Sequence, residues 1–244
     1  MDSDLYKELY KVENRHWWHQ HKRALIHQLI RRFAVKGKVL DLGAGTGKML
    51  IELKTKGWQV AGLDNELEAI KWSKKRKIQI KLWDIESRKF PFKANQFEAV
   101  LMLDVLEHLV NERRVLNEIK RVLKPKGVVI ITVPAYQWLF SYWDKKLGHQ
   151  RRYTIDLLKK KILSTDLEIK FLSYFCSLFL PGAVIVRIIK KLLGKKSQAT
   201  SDFQTTPLAF FSIPLLKLYA SLERRLLKYF NLPFGLSIIG VFQK

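Results

Sequence analysis

Residues 39 to 47 read Val39-Leu40-Asp41-Leu42-Gly43-Ala44-Gly45-Thr46-Gly47: an apolar run, a carboxylate within it, then three glycines at alternate positions. Glycine has no Cβ, so the backbone can bend sharply there and let a ligand rest against bare amides, while a following helix aims its N-terminal N–H groups at whatever is held. This is the chemistry of a nucleotide-cradling turn. The spacing narrows it. A dinucleotide fingerprint, G-x-G-x-x-G, would place its third glycine at Lys48, whereas here it falls one residue early, at Gly47. Two other groups could move protons or hold anions. His108, beside Glu107, carries an imidazole that titrates near neutral pH, as a general base requires. Further on, His149-Gln150-Arg151-Arg152-Tyr153-Thr154 sets two guanidiniums side by side, suited to a phosphate or a carboxylate.

These residues need a scaffold, and the apolar runs supply one. Strands are read at 39–42, 58–64, 78–85, 97–104 and 127–133, with helical segments between them, and two more at 167–174 and 236–242. Thr154 reads as the cap of a helix starting at Ile155. Before the first strand, a segment containing Trp17, Trp18, Leu25, Ile26, Leu29 and Ile30 reads as a helix. About 60 residues separate the last two strands, too many for a structureless loop in a compact domain.

The pattern Asp41-x-Gly43-x-Gly45-x-Gly47 closing a first strand resembles motif I of the class I S-adenosylmethionine-dependent methyltransferases, in their bacterial and archaeal small-molecule branch. The other landmarks of that family follow in order: Asp64 ending the second strand, Asp84-Ile85 ending the third, Leu103-Asp104 ending the fourth with Glu107-His108 after it, then the fifth strand. The resemblance implies a Rossmann-like α/β fold with a seven-stranded mixed sheet, its last strand antiparallel. It implies S-adenosylmethionine as cofactor, held by Asp41, Gly43, Ala44, Gly45, Gly47, Asp64, Asn65, Asp84, Ile85 and Leu103. Asp64 would take the ribose hydroxyls and Asp84 would lie near the adenine amino group. His108 would be the catalytic base, oriented by Glu107. The run Asp144-x-x-x-Gly148-His149-x-Arg151-Arg152-Tyr153-Thr154 resembles a signature of the same branch, which would put His149, Arg151, Arg152 and Tyr153 at the acceptor mouth. Asp104-x-x-Glu107-His108 also resembles the E-x-x-E-H metal cluster of some O-methyltransferases, with aspartate in place of the first glutamate; no metal ligand is assigned on it. Trp17 or Trp18 would wall the methyl group off from water.

Composition bounds the partners. The 244 residues carry a formal net charge of +23, which draws the protein toward polyanions, whether nucleic acid or an anionic membrane face. The single cysteine, Cys176, fits a reducing compartment, and the N-terminus lacks the basic start and apolar run of a signal peptide, so a cytoplasmic location is expected. Residues 171 to 186 hold no charge, yet Pro181-Gly182 interrupts them and the run is shorter than a spanning helix. After it, Ile185, Ile188, Ile189, Leu192 and Leu193 oppose Arg187, Lys190, Lys191 and Lys195 on a helix; from 214 to 230, Leu215, Tyr219, Leu222, Leu226 and Tyr229 oppose Lys217, Arg224, Arg225 and Lys228. Between the two helices, Phe203, Pro207, Leu208, Phe210, Phe211, Ile213 and Pro214 make an apolar linker. Such helices can cap the sheet or lie peripherally at the inner face of a membrane.

The chain is therefore read as an N-terminal helical lid at 1–36, a cofactor-binding core at 37–175, an amphipathic helical insertion at 176–234 and a closing strand at 235–244. The expected reaction is methyl transfer to oxygen of a lipid-like or glycan-linked small molecule. RNA methylation is the second reading, raised by the charge, although no RNA-binding module accompanies the core and no N-P-P-Y motif follows the fourth strand. A non-catalytic, membrane-docked scaffold is the third.

Overall fold

Alternation along the strands decides which side of the sheet each residue serves. In the computed structural model, which describes residues 3–192 and 207–244, β1 (Lys38–Leu42) runs parallel to both β2 (Gln59–Asp64) and β4 (Phe97–Leu103). Successive side chains point to opposite faces. Val39, Ala99 and Leu101 thus join one core with Leu25, Ile26, Leu29 and Ile30 of α2 (Trp17–Phe33) and Met49 and Leu53 of α3 (Lys48–Thr55). Leu40, Leu42, Val100 and Met102 join the other, with Val115, Leu116 and Ile119 of α5 (Glu112–Val122) and Leu158 and Ile162 of α7 (Ile155–Leu163). A sheet buried on both faces reads as continuous apolar runs, as these strands do.

The seven strands lie in the order β3-β2-β1-β4-β5-β7-β6, with β3 (Lys81–Leu82), β5 (Leu123–Pro134), β6 (Glu168–Phe175) and β7 (Ser237–Gln243). Only β7 runs against its neighbours, pairing antiparallel with both β5 and β6. The expected mixed sheet is therefore the observed one. From β1 the chain moves outward to β2 and β3, then returns to place β4 on the other side of β1. At that reversal the loops leaving β1 and β4 diverge and open a crevice at their carboxyl ends.

Three expectations need correcting. The third strand is two residues long instead of eight, because the Asp84 carboxylate accepts from the amides of Glu86 and Ser87 and turns the chain away from the edge. The apolar stretch from Pro207 to Pro214 is no linker: it forms the first turns of α9 (Pro207–Leu226). Phe203 lies outside the described residues. Tyr219, read on the apolar face of α9 with Leu215, Leu222, Leu226 and Tyr229, instead packs inward with Ala220, Glu223 and the following Leu227, while the other four are exposed. The earlier helix, α8 (Phe179–Leu192), accommodates Pro181 in its first turn, where no amide partner is lost. From Val186 onward its side chains, and Leu193 and Lys195 altogether, lie outside those described. Among the described residues no helix is long and apolar enough to cross a membrane.

Glu223 is the clamp that holds α9. Its buried carboxylate accepts from the amides of Cys176 and Ser177 at 3.0 and 2.9 Å, from the Ser177 and Tyr219 hydroxyls, and lies 2.7 Å from His21 Nε2 on α2. Burial alone would raise its pKa, but these donors, His21 foremost, hold it down to about 2. Replacing Glu223 by alanine is expected to cost about 3–5 kcal/mol in urea denaturation, since five donors lose their acceptor together. The stabilisation from Glu223 should be complete above its unfolded pKa of 4.5 and be lost as pH falls toward 2, a dependence missing from Glu223→Gln.

Candidate functional site

The glycine turn sits in the crevice, and its conformation demands glycine at every alternate position. Gly43, Gly45 and Gly47 have φ of +66°, +55° and +72°. Gly43 and Ala44 both donate to the Leu63 carbonyl, at 2.9 and 3.1 Å, and Gly45 N donates to Asp64 Oδ2 at 2.8 Å. A Cβ on Gly43 would come within 2.5 Å of Val105, whereas one on Gly45 would meet nothing within 4 Å. The backbone at Gly45 thus faces open space. A ligand with an adenosyl group fits that chemistry: a turn with no side chain at Gly45, a helix N-terminus at Lys48, and carboxylates of Asp41 and Asp64 alongside. Burial, reinforced by Asp64, lifts the Asp41 pKa to about 8, and burial also raises that of Asp64.

Other residues expected at the cofactor take different stations. Asn65 is exposed beside Asp64, Ile85 is buried in the core and Leu103 is partly buried at the end of β4. Asp84 is exposed and engaged by its own turn, its second oxygen accepting from Ser87 Oγ at 2.5 Å.

The lid reaches the turn through residues that sequence reasoning passed over. After α1 (Ser3–Val12), Glu13 accepts from Thr46 Oγ1 at 2.8 Å and from Arg76 at 2.5 Å, so a buried carboxylate ties the N-terminal segment to the glycine turn. Tyr6 is buried close enough to Asp64 for that carboxylate to raise its pKa, after burial itself. Trp17 instead stacks on Phe179 of α8, with ring centres 4.6 Å apart, and Trp18 lies under the Lys22 ammonium at 4.4 Å. Lys22 is the second omission. It pairs with Asp104, which also accepts from Thr132 Oγ1 at 2.8 Å and has φ of +55°. Burial pushes the Asp104 pKa up, but Lys22 and Thr132 outweigh it and hold the group below its ordinary value. Nothing in the sequence separates Lys22 from the other basic residues.

Across the mouth, Glu107, His108 and His149 come together. The His108 and His149 rings meet edge to face with centres 4.8 Å apart, and His149 Nε2 lies 3.9 Å from Glu107 Oε1. Burial, and then the neighbouring His149, depress the His108 pKa, leaving a neutral imidazole able to accept a proton. His149 is oriented from behind by Asp144, whose Oδ1 is 2.9 Å from Nδ1. Glu107 differs from expectation. Among the described residues its carboxylate has no hydrogen-bond partner, His108 included, and burial followed by Asp104 drives its pKa well up. Asp104 is spent on Lys22 and Thr132, so of the motif that resembled a metal cluster only Glu107 and His108 remain available. His149 supplies the third donor, and the three ligand atoms lie within 4.8 Å of one another. The orphaned Glu107 oxygens fit a divalent cation.

The neighbouring arginines need correction. Tyr153 is fully buried and donates to Glu112 and to the Leu106 carbonyl, so it braces the core instead of lining a mouth. Arg152 donates to both oxygens of Asp144, at 2.8 and 3.0 Å, and Arg151 pairs with Glu112 at 3.1 Å. Both guanidiniums serve the strap that carries His149.

A family model described as methyltransferase domain matches residues 15–169. The sterol 24-C-methyltransferase ERG6B of Gibberella zeae is 33% identical over 54% of this chain and 36% of its own length. The ubiquinone/menaquinone biosynthesis C-methyltransferase UbiE of Desulfotalea psychrophila is 32% identical over 59% of this chain and 62% of its own. The chain thus spans less than two thirds of either relative. A crystal structure of a SAM dependent methyltransferase from Archaeoglobus fulgidus shares the fold, with TM-score 0.56 at 17% identity over 91% of this chain and 94% of that one. If a cationic adenosyl ligand docks beside Asp41, its charge should lower the pKa of that carboxyl and expel the proton. Calorimetry at pH 7 in buffers of different ionisation heat should record release of up to about one proton per S-adenosylmethionine bound, absent in Asp41→Asn.

Proposed function

The chain belongs to the methyltransferase domain family, and from that membership we propose that it transfers the methyl group of S-adenosylmethionine to an oxygen of a lipid-like small molecule. The observation that carries the reading is the turn itself, in which three left-handed glycines leave the space at Gly45 open beside two buried carboxylates, Asp41 and Asp64. The cofactor, when bound, supplies the electrophilic methyl; the protein's part is alignment and proton removal. Asp64 would take the ribose hydroxyls, Asp84 with Ile85 and Leu103 would flank the adenine, and Asp41 would face the positive end.

His108 is the base in this reading. Its depressed pKa keeps it unprotonated at neutral pH, and it stands past the end of β4, across the crevice from the glycine turn. An acceptor hydroxyl would give its proton to the imidazole as oxygen attacks the methyl carbon and the sulfur leaves as a neutral thioether. The lipid-like acceptor is supported by the two curated relatives, whose names place sterol and quinone chemistry in the same family. An acceptor of that kind would bring the enzyme to a membrane. RNA gains no support from the site: Arg151 and Arg152, the guanidiniums the sequence offered for an anion, are both paired.

The three donors Glu107, His108 and His149 favour one second reading. A divalent cation held there would supply Lewis-acid polarisation of the acceptor oxygen. A labelled-methyl assay on fractionated lipid, glycan and RNA extracts tests the proposal: product should appear in the lipid fraction, and Asp64→Ala should abolish cofactor binding while leaving the fold intact. His108→Ala should lower kcat by about 10²–10⁴ with cofactor affinity unchanged. Activity that survives chelation supports the base; activity lost to EDTA and restored by a divalent ion supports the cation. Label in RNA alone would overturn the acceptor class.

A further inference from the structure

Around α9 the side chains fall into three sectors. At about 100° per residue, Leu216, Tyr219, Ala220, Glu223 and Leu227 form one sector directed at the body of the protein. Next to it, Lys217, Arg225 and Lys228 are exposed and form a basic sector, with the partly buried Arg224 beside them against His21. The remaining sector holds Leu215, Leu218, Leu222 and Leu226, between 48 and 68% exposed, and continues past the helix into Tyr229 and Phe230. Elsewhere the large exposed apolar residues are scattered singly. In the stretch from Leu178 to Phe234 they cluster: nine of the 17 among the described residues fall there. A stripe of leucines left in water beside a stripe of lysine and arginine is not what a helix needs to cap a sheet, since its capping face is already satisfied on the third side. Exposed patches of this kind mark interaction surfaces.

We propose that this outer face of α9 docks on an anionic lipid bilayer, leucines and aromatics in the acyl boundary and the basic sector among the head groups. Charge decides the occupant. A second copy of the chain would bring one +23 molecule against another and set Lys217, Arg225 and Lys228 near their own copies, an arrangement opposed by Coulomb repulsion. A nucleic acid would satisfy the basic sector but leave the aliphatic stripe in water. A bilayer with acidic head groups accepts both sectors at once. No described helix can span the membrane, so the attachment lies in the interface plane. The surface is also wired to the site: Glu223 binds α9 to His21, and the next residue of α2, Lys22, holds Asp104 at the crevice. Docking goes beyond the methyl-transfer reading and does not depend on it, because it is measured without cofactor or acceptor.

Flotation of the full chain with phosphatidylcholine vesicles, with and without phosphatidylglycerol, tests it. The protein should float with the anionic vesicles, much less with the neutral ones, and detach as salt is raised. Leu218→Glu with Leu222→Glu should weaken partitioning by at least about tenfold, and Lys217→Glu with Lys228→Glu should do the same while flattening the salt dependence. All four side chains are exposed, so circular dichroism, unfolding midpoint and S-adenosylmethionine affinity should stay unchanged. Equal flotation of the leucine variant overturns the proposal. So does a wild-type dimer by light scattering that the leucine variant turns into a monomer, or loss of RNA binding in the lysine variant with vesicle binding intact.

Discussion

Four carboxylates, Asp41, Asp64, Asp104 and Glu107, converge on the carboxyl ends of the central strands with the Lys22 ammonium set among them, and that imbalance organises the site. Lys22 keeps Asp104 ionised. Asp41 and Glu107, buried and facing other carboxylates, are pushed toward the neutral form. A pocket in this condition favours a positive ligand, because each proton held against burial can be exchanged for a cation's charge. The proposed cofactor is cationic, and the orphaned Glu107 oxygens suit a metal ion.

The fold serves this concentration of charge. Strand order β2-β1-β4 forces the loops after β1 and β4 apart, which makes room for a ligand over the glycine turn. Two neighbouring N-terminal segments close the same region. The segment after α1 fastens to the turn through Glu13 and Thr46, and α2 reaches across with Lys22 while gripping α9 through His21 and Glu223. The strap after β5 is equally rigid: Asp144 caps its helix, orients His149 and takes Arg152. One carboxylate thus fixes the position of the imidazole that faces Glu107.

Much of this was legible in residue order. The glycine register, the acidic ends of the strands and the apolar runs specify a doubly wound sheet and the location of its crevice, because glycine conformation and strand alternation are local properties. What stayed hidden depends on distant partners. Arg151, Arg152 and Tyr153 have the right chemistry for an anion, yet Glu112 and Asp144 claim them, and no local pattern announces those pairings. Lys22 was invisible for the same reason. In α9 the sequence left open whether the leucine face caps the sheet or lies on a membrane, because the inward contacts are made by Glu223 and Tyr219, a polar pair that hydrophobic periodicity does not register.

In the proposed function the glycine turn and its carboxylates hold an adenosyl sulfonium. Isothermal titration of the purified chain with S-adenosylmethionine and, separately, with a nicotinamide dinucleotide tests it most directly. Saturable heat with the first and none with the second is the expected result; binding of the dinucleotide with no response to S-adenosylmethionine would contradict it.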